Sequence, residues 1–381
     1  MPHLVAIDIP GGTAFVDALQ REWNAGNAVL PVDRRLPLAA KEALLAAMAV
    51  GFVVDEHGRH TLPDARSIEA GDALVMATSG STGTPKGVVL THTAIAASAT
   101  ATSARLGMTP ADTWLACLPL AHVGGLSVIT RALHTGTGLV VHDGFDAARV
   151  TAAARQGATA VSLVATALAR IDPGVFRTIV LGGARPPSTL PRNTHTTYGL
   201  TETGSGVVYD GRPLDGVEVR ISAEHDGDDI GEVLIRCPML LRAYRDGSTP
   251  LDDAGWLHTG DLGRWLADGR LHVEGRRGDM IITGGENVWP EAVEAILATH
   301  PGVAEVAVAG VADPEWGQRV VAWVVPAASG PAPTLSECRA HVAEQMPAFC
   351  APKELHTVAA LPRTALGKVQ RYLLTADTAG T

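Results

Sequence analysis

A chain of 381 residues is long enough for a large domain and a smaller one rather than a single core. Its 46% hydrophobic and 18% charged residues are globular composition, and aromatics at 4% leave the core to Ala, Val and Leu. Thirty basic against forty acidic side chains give −10 at pH 7, which argues against a nucleic-acid or anionic-membrane surface.

In chain order, residues 13–23 and 37–50 read as helices, with "NAVLPV" between them as a strand. "ALVMATS" is a short buried strand running into a Ser/Gly-rich loop, and "HTAIAASATATSARLG" is an Ala-rich helix closed by Gly107. "DTWLACLP", "GTGLVVHD", "ATAVSLV" and "FRTIVLGG" continue a strand–helix alternation, which predicts a mostly parallel α/β sheet covered on both faces. From about Val217 short strands and turns predict a β-rich subdomain. A boundary is expected within Glu274–Met280, with 1–276 as the large domain and 277–381 as a small α+β domain. That small domain has a helix from Pro290, the strands "AEVAVAGV" and "RVVAWVVP", a loop "PAASGPAP", and a helix from about Leu335.

Cys117, Cys237, Cys338 and Cys350 make no C-x-x-C pair, so neither a disulfide framework nor a zinc site is expected, and a reducing cytoplasm is the simplest setting. "MPHLVAIDIPGG" lacks the pattern of a signal peptide, and the apolar runs are too short for stable membrane insertion.

The loop "TSGSTGTPKG", Thr78–Gly87, gathers glycines, hydroxyls and one lysine. Gly80, Gly83 and Gly87 permit positive φ and close backbone approach to a ligand, successive N–H groups form an anion nest, and Lys86 adds a point charge. A polyphosphate is the natural ligand. The loop is not a Walker-type P-loop, because Lys86 follows Pro85 and precedes Gly87.

"TSGSTGTPKG" resembles the phosphate loop of the adenylate-forming, AMP-binding superfamily, which includes the acyl-CoA synthetases. "YGLTETG", "GWLHTGDLG", "GRRGDMIITGGENVWPEAVE" and "LPRTALGKVQRYLL" follow in that family's order and resemble its adenine and magnesium, ribose, hinge and catalytic-lysine motifs. The resemblance runs from about residue 70 to 374. It implies a large N-terminal domain of mostly parallel sheets with a β-rich subdomain, plus a small mobile C-terminal domain. It also implies ATP, Mg²⁺ and CoA as cofactor and co-substrates, acting in two half-reactions: acyl-adenylate formation with loss of pyrophosphate, then displacement of AMP by a thiol.

By that resemblance Thr78, Ser79, Ser81, Thr82, Thr84 and Lys86 cradle the β- and γ-phosphates, Glu202 holds Mg²⁺, and Thr201 contacts the α-phosphate. Tyr198 and Gly199 flank the adenine with the backbone of Gly182, Gly183 and Ala184, while Asp261 and Arg276 take the ribose. Lys368 is the catalytic lysine of the first half-reaction. Arg277 and Gly278 form the hinge, and the loop carrying Gly284, Gly285 and Glu286 lines the CoA path in the second. In isolation Asp261 would read as a turn residue, Arg276 and Lys368 as solvated charges and Glu202 as a helix cap; their joint order is what gives them roles.

The acid is less well specified. Amino-acid-activating relatives place an Asp where "CLPLAHVGGLSVITR" has His122 and none, and an unpaired buried ammonium is costly, so amino acids are disfavoured. "LPLAHVGGLSVITRAL" instead resembles the corresponding run of o-succinylbenzoate-CoA ligases of menaquinone biosynthesis. Arg131 would then hold the substrate's second carboxylate, with His122 and Gly204 beside the acyl site. The alternative for Arg131 is a helix-face charge, and for His122 a core histidine. Only 77 residues precede Thr78, fewer than the family usually carries, and "AVLPVDRRLP" resembles a remnant of its N-terminal subdomain.

The expected partners are thus a small carboxylic acid, ATP and CoA, with no nucleic acid; a homodimer is compatible with the family. Competing readings are a ligase for another aromatic or aliphatic acid, and one that loads a carrier-protein phosphopantetheine. A non-catalytic nucleotide binder is a different class, opposed by the presence of Lys86, Glu202, Asp261, Arg276 and Lys368 together.

Overall fold

The computed structural model describes residues 2–79, 85–187, 189–222, 229–328, 330–363 and 369–378. The first strands are short apolar runs buried on both faces, as parallel strands under helices must be. β1 (Leu4–Ile7) pairs in parallel with β2 (Ala28–Pro31) and β3 (Phe52–Asp55), and β4 (Gly58–Thr61) turns back on β3. β5 (Asp72–Ser79) lies parallel to β2, and β6 (Pro85–Thr91) returns antiparallel along its whole length. Helices α1 (Thr13–Asn24) and α2 (Leu38–Ala47) connect the early strands. α3 (His92–Arg105) starts where Thr91 caps it, its hydroxyl accepting from the Ala94 N–H at 3.1 Å.

A second sheet repeats the pattern. β7 (Thr113–Ala116), β8 (Gly138–Val141), β9 (Ala160–Leu163), β10 (Thr178–Leu181) and β11 (Thr194–Tyr198) run parallel in the order β8–β7–β9–β10–β11. The short strands β12 (Val208–Tyr209) and β13 (Arg212–Pro213) close one edge antiparallel. α4 (Val123–Thr135), α5 (Ala147–Arg155) and α6 (Ala165–Leu168) supply the crossovers. The β-rich stretch expected after Val217 is β14 (Glu218–Ser222), β15 (Gly231–Arg236), β17 (Leu257–Trp265) and β18 (Leu271–Arg276), a four-stranded sheet. Between them β16 (Ala243–Tyr244) leaves that sheet and pairs with β6, giving the first sheet its seventh strand.

The C-terminal elements are the hairpin β19 (Ile281–Thr283) and β20 (Glu286–Val288), α7 (Pro290–Leu297), the long hairpin β21 (Val303–Asp313) and β22 (Gly317–Pro326), α8 (Leu335–Ala343), β23 (Glu354–Thr357) and α9 (Arg371–Thr378). Thr334 and Glu337 form a reciprocal capping box at the start of α8. Val288, Val293, Leu297, Val308, Val320 and Val342 pack into this part's own apolar core. By contact density the chain divides into two compact units. One comprises Met1–Arg220, Leu234–Thr259 and Leu266–Leu271; the other comprises Ile221–Val233, Gly260–Trp265 and His272–Thr381.

The cores are aliphatic as the composition requires; Trp114, Tyr209 and Phe15 are the largest side chains fully buried. The four cysteines are unpaired. Among the described residues no helix is long and apolar enough to cross a membrane.

Two elements depart from the sequence expectation. The helix predicted over 37–50 stops at Ala47, and Ala49 takes a positive φ of 47°. The reason is tertiary: the buried Arg245 guanidinium draws in the carbonyls of Met48 (2.9 Å), Ala49 (3.3 Å), Arg66 and Ser67 (2.8 Å). Burial pulls its pKa down to about 10, which still leaves it charged at neutral pH. The hairpin β3–β4 was not visible as a strand pair, because "FVVDEHGRHT" is half polar and β4 is exposed throughout.

Candidate active site

Within the first unit, β5 and β6 form a hairpin that sets Thr78 opposite Lys86 and Ser79 opposite Pro85. Ser81, Thr82 and Thr84 lie outside the described residues, with Gly80 and Gly83. Gly87 corrects the sequence reading. It sits inside β6, paired with Ala77, and is absent from the positive-φ glycines. A Cβ there would stand 2.5 Å from Met48 Sδ and 2.8 Å from Val75 Cγ1, so packing by itself demands the glycine.

Lys86 extends its ammonium over the Tyr244 ring, 4.9 Å from the centroid. The same tyrosine donates its hydroxyl to Glu202 Oε1 at 3.0 Å. Glu202 lies in the tight turn Thr201–Thr203, which Gly204 closes. The turn is held by the Leu200 N–H on Thr203 Oγ1 (2.9 Å) and by the Leu241 N–H on the Glu202 carbonyl (2.7 Å). Among the described residues no hydrogen bond reaches Glu202 Oε2, so a half-buried carboxylate keeps one oxygen open, which suits a hard cation such as Mg²⁺.

The second sheet places further candidates at the carboxyl ends of its parallel strands, where open α/β sheets bind ligands. β10 delivers Gly182, Gly183 and Ala184, and its neighbour β11 delivers Tyr198 and Gly199. β7 leads through "CLPLA" to His122, which precedes the first residue of α4.

His122 caps the start of α4 and Arg131 lies nine residues on, roughly 13 Å along the axis. His122 Nε2 is enclosed and lacks a hydrogen-bond partner among the described residues. Burial, with Arg35 adding and Asp33 opposing, drives its pKa down to about 4, so the imidazole is neutral at physiological pH. The folded state therefore resists protonation. Its contribution to stability is complete above pH 6.5 and falls away as pH drops towards 4, by up to about 3 kcal/mol. Chemical denaturation at pH 7 and 4.5 should show this loss, and His122→Gln should show a smaller one; equal losses would exclude His122 as its source.

Arg131 is 2% exposed and its side chain has no ion pair or hydrogen bond among the described residues; Nε and Nη1 are both buried and unpartnered. Its guanidinium lies over the Trp114 ring at 4.7 Å, and burial pushes its pKa down, with Tyr209 opposing. A charge buried without a counter-charge is costly, so this is not the solvated helix-face residue of the alternative reading. Nearby helices bury further polar groups, among them Ser98, bonded at 2.7 Å to Ser205.

In the second unit Asp261 is buried and accepts from Arg276 Nε at 2.8 Å, bringing together the two residues expected at the ribose. Arg277 lies 3.8 Å from Glu232, whose Oε1 accepts from the Gly260 N–H. Gly278 is central in the turn Arg277–Asp279. Gly284 and Gly285 form the two-residue turn of β19–β20, with φ of 61° and 84° as such a hairpin requires, and Glu286 is exposed. The Gly284 N–H donates to the Trp316 carbonyl at 2.8 Å.

Lys368 lies outside the described residues. Three residues on, Arg371 donates to both Glu294 oxygens (2.9 Å), to Asp279 (3.2 Å) and to the Val308 carbonyl (3.0 Å). Sequence reasoning missed Tyr244, Arg371 and Trp316. Tyr244 stands on a two-residue strand with no periodicity to detect, and the carboxylates that hold Arg371 lie 77 and 92 residues away in the chain.

The chain matches the family model of the AMP-binding enzymes over residues 56–245 and that of the AMP-binding enzyme C-terminal domain over 292–368. A probable 2-succinylbenzoate–CoA ligase of Mycobacterium tuberculosis is 38% identical over 403 residues, covering 98% of both chains. A 2-succinylbenzoate–CoA ligase of Bacillus licheniformis is 35% identical, over 79% of this chain and 69% of its own. Among solved structures, the o-succinylbenzoate CoA synthetase of Bacillus subtilis in complex with its acyl-adenylate intermediate superposes with a TM-score of 0.87 at 29% identity, over 98% of this chain and 88% of that one. The same Bacillus enzyme has been solved with ATP and a magnesium ion, at the same TM-score and identity.

Proposed function

Since the chain belongs to the AMP-binding enzyme family, we propose that it is an ATP-dependent ligase joining 2-succinylbenzoate to coenzyme A. The observation that carries the choice of acid is Arg131, a desolvated guanidinium with no carboxylate beside it among the described residues. A substrate with two carboxylates can present one for activation and the other to this cation.

In the first half-reaction a carboxylate oxygen attacks the α-phosphorus of ATP, the bond to the β-phosphate oxygen breaks, and pyrophosphate leaves. In the second, the CoA thiol loses its proton and attacks the acyl carbonyl, and AMP departs with the former carboxylate oxygen. Little covalent chemistry falls to the protein, so positioning and charge neutralisation dominate.

Thr78, Ser79 and Lys86 of the β5–β6 hairpin, with Ser81, Thr82 and Thr84 of the same motif, would hold the β- and γ-phosphates. Thr201 takes the α-phosphate, and Gly182–Ala184 with Tyr198 and Gly199 take the adenine. Glu202 is suited to Mg²⁺, which when bound offsets the triphosphate's charge. Asp261 would accept the ribose hydroxyls, and the Arg276 already paired to it fixes its orientation. Neutral His122 would serve the acyl site as a hydrogen-bonding group rather than a cation. Lys368 neutralises charge in adenylation; turning at Arg277–Gly278 then brings the Gly284–Gly285–Glu286 loop to the thiol. The unpaired cysteines support a cytoplasmic setting.

The test is acid-dependent pyrophosphate release with Mg-ATP, across 2-succinylbenzoate, benzoates, fatty acids and amino acids, with free CoA or a phosphopantetheinylated carrier protein as acceptor. A strong preference for 2-succinylbenzoate with CoA is expected. Preference for another acid would overturn the substrate while keeping the chemistry; turnover only with the carrier would overturn the acceptor.

A further inference from the structure

The geometry points to Tyr244 as a positioning residue that holds the Glu202 carboxylate for Mg²⁺ and the Lys86 ammonium for the triphosphate; this rests on the reading of Glu202 and Lys86 proposed above. One side chain touches both: its hydroxyl is 3.0 Å from Glu202 Oε1, and its ring face lies 4.9 Å from Lys86 Nζ. Glu202 has three side-chain torsions of its own, and among the described residues only Oε1 is engaged. Fixing that oxygen aims Oε2, in the way outer hydrogen bonds orient metal ligands.

Tyr244 is itself rigidly held. β16 pairs with β6 so that Tyr244 opposes Val88, two residues along from Lys86. The Tyr244 N–H donates to the Ser248 carbonyl at 2.7 Å, and the next N–H, of Arg245, donates to the Gly87 carbonyl at 2.6 Å. The Arg245 side chain is in turn fastened by its four carbonyls. A ring mounted on so constrained a backbone can set the direction of two mobile charged side chains.

Two variants divide these contacts. Tyr244→Phe removes the hydroxyl and keeps the ring; Tyr244→Leu removes both. Calorimetry of ATP binding, with Mg²⁺ and with chelator, is paired with the Mg²⁺ dependence of pyrophosphate release and with melting curves. Tyr244→Phe is expected to raise the Mg²⁺ concentration for half-maximal release about tenfold. It should leave metal-free ATP affinity and the melting temperature unchanged. Tyr244→Leu should add a loss of metal-free ATP affinity of about threefold. Glu202→Gln separates the two layers of the inference. If it raises the Mg²⁺ requirement and Tyr244→Phe does not, the role of Tyr244 is overturned. If neither variant changes that requirement, the placement of the metal at Glu202 is overturned as well. A fall in Tyr244→Phe turnover that saturating Mg²⁺ does not restore, with lower thermal stability, would mark the tyrosine as structural only.

Discussion

Arg131→Met is expected to produce a protein that melts higher than the parent and has almost lost its preferred acid. In the parent the guanidinium is buried with Nε and Nη1 unpartnered, stacked on Trp114, on a helix whose residues Gly125–Ala132 are all buried. Removing a desolvated charge for a thioether of similar length should stabilise the fold by about 1–3 kcal/mol. The same change deprives the second carboxylate of its partner. A bidentate charge-assisted contact is worth enough that kcat/KM for 2-succinylbenzoate should fall by about two to three orders of magnitude. The decisive comparison uses the analogue lacking the second carboxylate. The parent should discriminate strongly against it, and the variant hardly at all. Discrimination retained in Arg131→Met would remove Arg131 from the acid site, and a lower melting temperature would show that the charge is satisfied in the free protein.

Lys368→Ala should separate the half-reactions. Acid-dependent adenylation is expected to fall by about a thousandfold, the usual consequence of removing one preorganised charge from a phosphoryl-transfer site. Thioester formation from a supplied acyl-adenylate should stay within about threefold of the parent. Single-turnover measurement of each step with the purified variant decides the matter, and equal losses in both would detach Lys368 from the first step. The fold should be unharmed, because the chain just after this lysine is anchored independently: Arg371 binds Glu294 through both oxygens and Asp279 as well.

The parallel strands were the most legible part of the fold. "AVLP", "AVSL" and "TIVL" are buried at every position, so each reads as an apolar run of strand length between helices; the equally buried "LVAI" of β1 went unread. The hairpin β3–β4 and the strand β16 were not legible: β4 is exposed throughout, and β16 is two residues long. The family's chemistry was legible because its motifs are local in sequence. What escaped were contacts made across long separations. Tyr244 meets Glu202 across 42 residues, and Arg371 meets Asp279 across 92. Gly87 was legible as a required glycine, but not through a positive φ; the atoms that require it belong to Val75 on the paired strand and to Met48 and Arg245, far off in the chain. Arg131 shows the opposite case: resemblance suggested a role, and only burial separated it from an ordinary surface charge.

Arg245 has a consequence for how this protein is made. The carbonyls of Met48, Ala49, Arg66 and Ser67 are all satisfied by one guanidinium that the ribosome adds 178 residues after Ser67. At ordinary elongation rates that interval is about 10–40 s. During it β1–β5 can pair, and the Ala49 carbonyl can take the Arg66 N–H, but the carbonyls of Met48, Arg66 and Ser67 must stay in water. The edge strand β16 arrives with the same residues, so the first sheet is completed and its interior carbonyls are capped in one event. The amino-terminal quarter of the nascent chain therefore has to wait, open to chaperones, for a residue in the chain's second half to close it.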